Sequence, residues 1–331
     1  MDFIKIITEI EKIDPEIYER LDTRRRVFQH VSGLGKKLSA AALPGLVSML
    51  FNKAYGQSGN TSLPQGIVDI LNLALQLEYL EYYFYDKVLT TTSLLNTADA
   101  AAVTAIRNDE SGHIKVLREA LGTRAKPQSA PTADAFDYTA GGRFPNVFTS
   151  AAVFFTVAQC FEDLGVRAYK GAAPKLLSNK TLLETALNIH SVEARHASHI
   201  RTLRRGLSAG VSGPDAAQAL PSLTSLATKP KSWISGTDAD GPSAPFTAAI
   251  YGAGSPAVGV AAQLFYPAES NVTQVGINVQ TTPMAPTNEL PLNAASASEA
   301  FDEALNDGVV KDIALNFRSA LGASIGLELF Q

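Results

Sequence analysis

Cysteine is almost missing from this chain of 331 residues; Cys160 stands alone, which excludes a disulfide framework and a thiolate metal cluster. Charge is scarce as well. Asp, Glu, Lys and Arg make up 18% of the residues, below the usual ~25%, and the formal balance is only −4. With no basic stripe, nothing points to a nucleic-acid partner. Histidine occurs five times, so any metal site must draw on carboxylates and a few imidazoles. Apolar runs are short too. Leu38 to Phe51 is the longest near the start, 14 residues interrupted by Pro44 and Gly45, where a membrane-spanning helix needs roughly 20. What is not lacking is length, which suffices for one or two buried cores without disulfides or a structural metal.

Residues 1–60 read as a leader. Positions 1–22 suggest a charged amphipathic helix with Ile4, Ile7, Ile10 and Ile13 on one side. Thr23-Arg24-Arg25-Arg26-Val27-Phe28 follows, and the stretch 23–37 holds five basic residues and no acid. This order of basic, apolar and small residues, ending near Ala54-Tyr55-Gly56, resembles a twin-arginine export signal. The length ahead of the arginines and Lys36-Lys37 before the apolar run support the other reading, a basic helix packed on the body. The first reading places the protein in the periplasm and the second in the cytoplasm.

Residues 61–210 carry the helical period. From Ile67, alternating steps of four and three reach Leu71, Ala74, Glu78, Glu81, Tyr85 and Val88, with carboxylates where a bundle seam wants leucine. The next seam runs Val103, Ile106, Glu110, His113, Leu117 and Ala120, between an Asn96-Thr97 start and a Gly122 stop. A third runs Phe148, Ala151, Phe155, Ala158, Glu162, Gly165, Tyr169 and Ala172, closed by Pro174. The fourth runs Leu182, Ala186, Ile189, Glu193, His196, Ile200 and Leu203, ending at Gly206. Short, long and short connections predict an all-α, antiparallel four-helix bundle with a long crossover between its second and third helices.

The two helix pairs repeat one another. Glu110 follows Glu78 by 32 positions and Glu193 follows Glu162 by 31, while Tyr85 and Tyr169 each lie seven beyond the first glutamate of their pair. Seven residues are nearly two turns, so each tyrosine should stand above its own glutamate. Both later glutamates open a Glu-Xaa-Xaa-His, as Glu110-Ser111-Gly112-His113 and Glu193-Ala194-Arg195-His196. One such spacing means little; two at matching distances from a seam glutamate are hard to obtain by chance. Four carboxylates gathered in a core repel one another and are costly to desolvate unless countered. Two divalent cations would balance them, and oxygen with imidazole nitrogen suits iron or manganese.

The pattern resembles the ferritin-like di-iron and di-manganese carboxylate family, whose ligand scheme is two glutamates and two Glu-Xaa-Xaa-His pairs. Leu77-Glu78-Tyr79-Leu80-Glu81 and Glu162-Asp163-Leu164-Gly165-Val166 look most like the group that includes plant desiccation-related proteins and bacterial relatives. The resemblance implies Glu78 and Glu162 as terminal ligands, Glu110 and Glu193 as bridges, and His113 and His196 one to each ion. Tyr85 and Tyr169 would then hydrogen-bond around the site or serve as redox-active phenols. It further implies two iron ions handling O2 or peroxide, in ferrous-ion oxidation or stress defence. A di-manganese catalase or a non-catalytic stress-related protein are the alternatives.

Other residues have plainer readings. Glu81 competes with Glu78 as the ligand, since the third seam has Gly165 at the matching place and Glu81 could extend into the space that glycine leaves. A buried salt-bridge network is the bland alternative for the whole set, but no lysine or arginine lies on the seams to supply it. His190 and His199 drift around the helix by about 60° per step of three and read as rim residues. Cys160 reads as a packed thiol, and Gly112 and Gly165 as points of close contact or room for a ligand. Residues 211–331 form a loop-rich, mixed extension with no histidine. In it Val275 to Val279 suggests a strand, and 298–305 and 309–321 suggest short helices. A storage shell of 24 subunits is disfavoured by the leader and this extension, while a homodimer remains compatible.

Overall fold

Long apolar seams at helical spacing give long helices, and four of them dominate the computed structural model: α1 Gln65–Thr91, α2 Thr97–Leu121, α3 Ala151–Ala172 and α4 Lys180–Arg204. The structure describes residues 63–91, 93–204, 230–234, 247–254, 266–282, 292–325 and 327. The expected helix over 1–22, the twin-arginine-like stretch, the apolar run 38–51 and the Gly206 stop all lie outside the described residues. Among the described residues, no helix is long and apolar enough to cross a membrane.

Local chemistry sets the helix ends. Asn96 Oδ1 accepts from the N–H groups of Ala98 and Asp99 to start α2, and Gly122 closes it at φ 54°. Ser150 caps α3, and Asn179 Oδ1 accepts from Leu182 N at 3.1 Å to cap α4. Helix α1 packs chiefly against α2, and α3 against α4, each pair joined by a short loop. The crossover over 122–150 is tied down by buried side chains of α1 and by its own. Asn72 Nδ2 donates to the carbonyls of Val68 and Arg124, and its Oδ1 accepts from Lys126 N at 2.6 Å. Tyr138 Oη donates to Leu80 O at 3.0 Å. One end of the core is aromatic, with Phe84 stacked on Phe154 at 4.7 Å and edge-on to Phe161 at 5.0 Å.

Helix α3 is buried on nearly all sides, from Phe154 through Arg167 without a break. A bundle hides only one stripe of a helix, so another layer must cover the rest. That layer is the C-terminal extension, with short helices α5 Ala248–Tyr251, α6 Ala294–Ser298, α7 Asp307–Leu315 and α8 Ala320–Ser324. Arg167, which no seam contains, organises the contact. Its fully buried guanidinium donates to the carbonyls of Ile250, Gly252, Pro267, Glu303 and Ala304, and its Nε lies 2.7 Å from Glu269 Oε1. Leu305 N donates to Arg167 O at 3.1 Å, and a Cβ at Gly171 would meet Leu305 O at 1.8 Å, so only glycine admits this strap.

The extension differs from its sequence reading in two places. The alternation around Val275 is no single strand but a hairpin, β1 Thr273–Gln274 antiparallel to β2 Ile277–Asn278. Val275 sits in the turn between them, fully exposed with φ 52°, because two strand residues on each side leave no face to bury it. The helices expected over 298–305 and 309–321 are also displaced. Residues 303–305 run extended along α3, since their backbone groups bond to Arg167 rather than to one another, and Phe317–Ser319 pair with the crossover through Asp137 N to Phe317 O and Ser319 N to Ala135 O.

Candidate metal centre

Packing the seams brings their ionisable positions to one level of the bundle. Glu78, Glu110, Glu162 and Glu193 are 0% exposed, His113 is 8% and His196 5%. His113 Nδ1 lies 2.9 Å from Glu110 Oε2, 3.0 Å from Glu78 Oε2 and 3.4 Å from Glu193 Oε1. His196 Nδ1 lies 2.9 Å from Glu110 Oε1 and 3.4 Å from Glu162 Oε2. The two oxygens of Glu110 therefore face two different imidazoles. Potential ligand atoms fall into two groups, each within 4.8 Å: Glu78, Glu110, His113 and Glu193, then Glu110, Glu162, Glu193 and His196. Glu110 and Glu193 are common to both groups, and the other four belong to one each.

The set is short of donors. Glu110 Oε1, Glu162 Oε2, both carboxylate oxygens of Glu193 and Nδ1 of His196 are buried with no hydrogen bond, the 2.9 Å approach of His196 to Glu110 being misaligned for one. Acceptors buried without donors are costly, and a cation satisfies them directly. The electrostatics agree. Burial pushes Glu78 up to about 7 despite His113, and lifts Glu193 and Glu81 well above the ordinary carboxylate range, reinforced by neighbouring carboxylates. Glu162 is raised by burial too. Burial would also raise Glu110, but His196 and His113 outweigh it and hold that carboxyl below its usual range. Both imidazoles are lifted well above theirs, because the surrounding glutamates overcome the effect of burial.

The tyrosines bond across the bundle. Neither bonds the glutamate of its own helix. Tyr85 Oη donates to Glu162 Oε1 and Tyr169 Oη donates to Glu78 Oε1. The second oxygen of each carboxylate, Glu162 Oε2 and Glu78 Oε2, is the one facing an imidazole. Burial, with the glutamate beside each, raises both phenols well above their ordinary range, so they remain donors.

Gly165 does make room, but not for Glu81 as expected: a Cβ there would lie 2.7 Å from Glu193 Oε2. Glu81 is 4% exposed and belongs to neither ligand group. His190 is half-buried and His199 exposed, both outside the groups. Cys160 is buried outside them too. At Gly112 an added Cβ would meet nothing within 4 Å, so close contact does not explain it.

Two features escape the seam analysis. His196 Nε2 lies 3.1 Å from Oδ2 of Asp109, the residue just before Glu110. Arg201 makes a two-pronged contact with Asp163, which also accepts from Tyr251 Oη at 2.7 Å. The available signal was charge off the seam: Asp163 and Arg167 are four apart on a largely apolar helix, and neither lies on its seam.

Residues 66–206 match the model of the ferritin-like domain family. The bundle is a ferritin-like domain. That domain supplies the four helices and all six residues of the two ligand groups, while the extension that covers α3 lies beyond the match. No curated protein and no solved structure gives a significant match to the chain.

Proposed function

We propose that the ferritin-like domain holds two iron ions, one on Glu78 and His113, the other on Glu162 and His196, with Glu110 and Glu193 shared between them. The observation that carries this reading is the pair of four-residue groups with two members in common, lined by buried acceptor atoms that lack donors. Bound iron would supply the redox chemistry for oxidising ferrous ion with O2 or peroxide, in stress defence. The protein's own residues set the terms for it. Tyr85 and Tyr169 each clamp one oxygen of a terminal glutamate and leave the other turned inward, which fixes carboxylate orientation as outer hydrogen bonds do around metal ligands. Their phenolic protons, held at Oη beside the site, also make them candidates for hydrogen donation. The aromatic cluster around Phe84 keeps water from that end of the bundle.

Elemental analysis of the purified protein beside a Glu110→Ala, Glu193→Ala double variant tests the reading, together with oxygen uptake on adding ferrous salt. Two iron ions per chain, lost in the double variant, with oxygen consumption in the parent, is the expected result. Manganese with peroxide dismutation would make the protein a catalase instead. An inert bound ion would make the centre structural, and no metal after loading with ferrous or manganous salt would end the proposal.

A further inference from the structure

A cleft adjoins α3 away from the two ligand groups. The cleft, of about 360 Å³, opens between this helix, the crossover and the extension, within the size range of small-molecule pockets. Its buried walls include Phe144, Cys160, Phe161, Ile250, Ile313 and Phe317. The Phe317 ring stands edge-on to Phe161 at 4.8 Å and parallel to Phe144 at 6.4 Å. Among the described residues charge is confined to the mouth, where exposed Arg143 donates to Asn316 Oδ1 and Asp312 brings the opposite sign. Among the described residues one polar side chain is left inside. Thr247 lines the cleft, is 2% exposed, and its Oγ1 has no hydrogen-bond partner. A buried hydroxyl without a partner is expensive, so a molecule that supplies one gains affinity at that point. None of these residues belongs to either ligand group of the metal centre.

We propose that this cleft binds a small neutral aromatic molecule bearing one hydroxyl or carbonyl oxygen. Its ring lies among the phenylalanines, and its oxygen meets Thr247 Oγ1. The aromatic walls favour offset or edge-on arene contacts over an alkyl chain. Among the described residues no charged side chain lies on the buried walls, which disfavours a carboxylate that would have to shed its water there.

Titration calorimetry on the full chain with 2-naphthol is the test, with naphthalene and decanoate as comparisons. One 2-naphthol site per chain is expected, about ten-fold tighter than naphthalene, a hydrogen bond's worth of affinity. Thr247→Val should bring 2-naphthol down to the level of naphthalene while leaving naphthalene unchanged. Ala249→Trp, at the exposed mouth, should abolish binding of both with the thermal melt retained. The chain's single thiol gives a second readout, since alkylation of Cys160 by N-ethylmaleimide should slow when 2-naphthol is present. Failure of 2-naphthol to saturate, equal affinity in Thr247→Val, or decanoate binding as tightly as 2-naphthol would each overturn the proposal. If Ala249→Trp does not fold, the isosteric Thr247→Val comparison decides alone.

Discussion

A methyl group added at Gly165 would sit 2.7 Å from Glu193 Oε2 and 3.3 Å from its Cδ, inside contact distance in a packed core. In a helix interior the same change is favourable, by about 1 kcal/mol of propensity. Gly165→Ala is therefore expected to keep the helical circular dichroism of the metal-free protein while metal content falls well below that of the parent on elemental analysis. Equal metal in both would show that Glu193 is not a ligand. The tyrosines allow a finer test, because each serves the opposite half of the site. Tyr169→Phe removes the donor to Glu78 and Tyr85→Phe the donor to Glu162. Each should weaken one ion out of two, by roughly 10- to 100-fold, the range for outer partners of metal ligands. Stepwise metal titration of the two variants reads this directly.

At the level of the helices, the carboxylates make metal-free and metal-bound bundles respond oppositely to pH. A carboxyl whose pKa is raised on folding stabilises the fold fully below its unfolded value near 4.5 and loses that contribution as pH rises through its folded value, about 7 for Glu78. Glu81, Glu162 and Glu193 are raised as well and act in the same direction. The raised imidazoles of His113 and His196 add stability that is complete below 6.5 and lost at higher pH. Among the six site residues Glu110, being lowered, opposes this, with a contribution present above 4.5 and lost only as pH falls through its depressed value, and His190 and His199, lowered by burial, oppose it with contributions present above 6.5 and lost as pH falls. The metal-free protein should thus melt at lower temperature at pH 8 than at pH 5.5. Added ferrous or manganous salt should reverse the order, since metal competes with protons for the ligands. Thermal melts at the two pH values, with and without metal, check both signs.

Across the whole molecule, stability depends on a charge inside an apolar layer. Arg167 answers five carbonyls and Glu269, and burial still pushes the Glu269 carboxyl up to about 7 against that partner at 2.7 Å. Arg167→Met would leave those groups without their cation, a change of the kind that costs about 3–5 kcal/mol. Denaturant unfolding should register the loss, and a shift under about 1 kcal/mol would mean that the extension docks by apolar contact alone. Removing the extension altogether, by ending the chain at residue 210, should expose the outer face of α3 and give an aggregating product on size-exclusion chromatography.

Apolar period and the residue types at helix ends are local properties, and they were enough to specify four helices, their seams, the caps at Asn96 and Gly122, and the six residues that meet in the two ligand groups, with Glu81 left open beside Glu78. Repeat spacing set the two pairs at matching heights, and the family resemblance implied Glu110 and Glu193 as the shared pair. Partnership across helices was beyond it. That Tyr85 reaches Glu162, that Glu193 rather than Glu81 fills the space at Gly165, and that Arg167 binds three distant segments of the extension depend on which helix faces are opposed and on side-chain reach. Helical spacing says which way a side chain leaves its own axis; what stands opposite is decided only when the whole chain has packed.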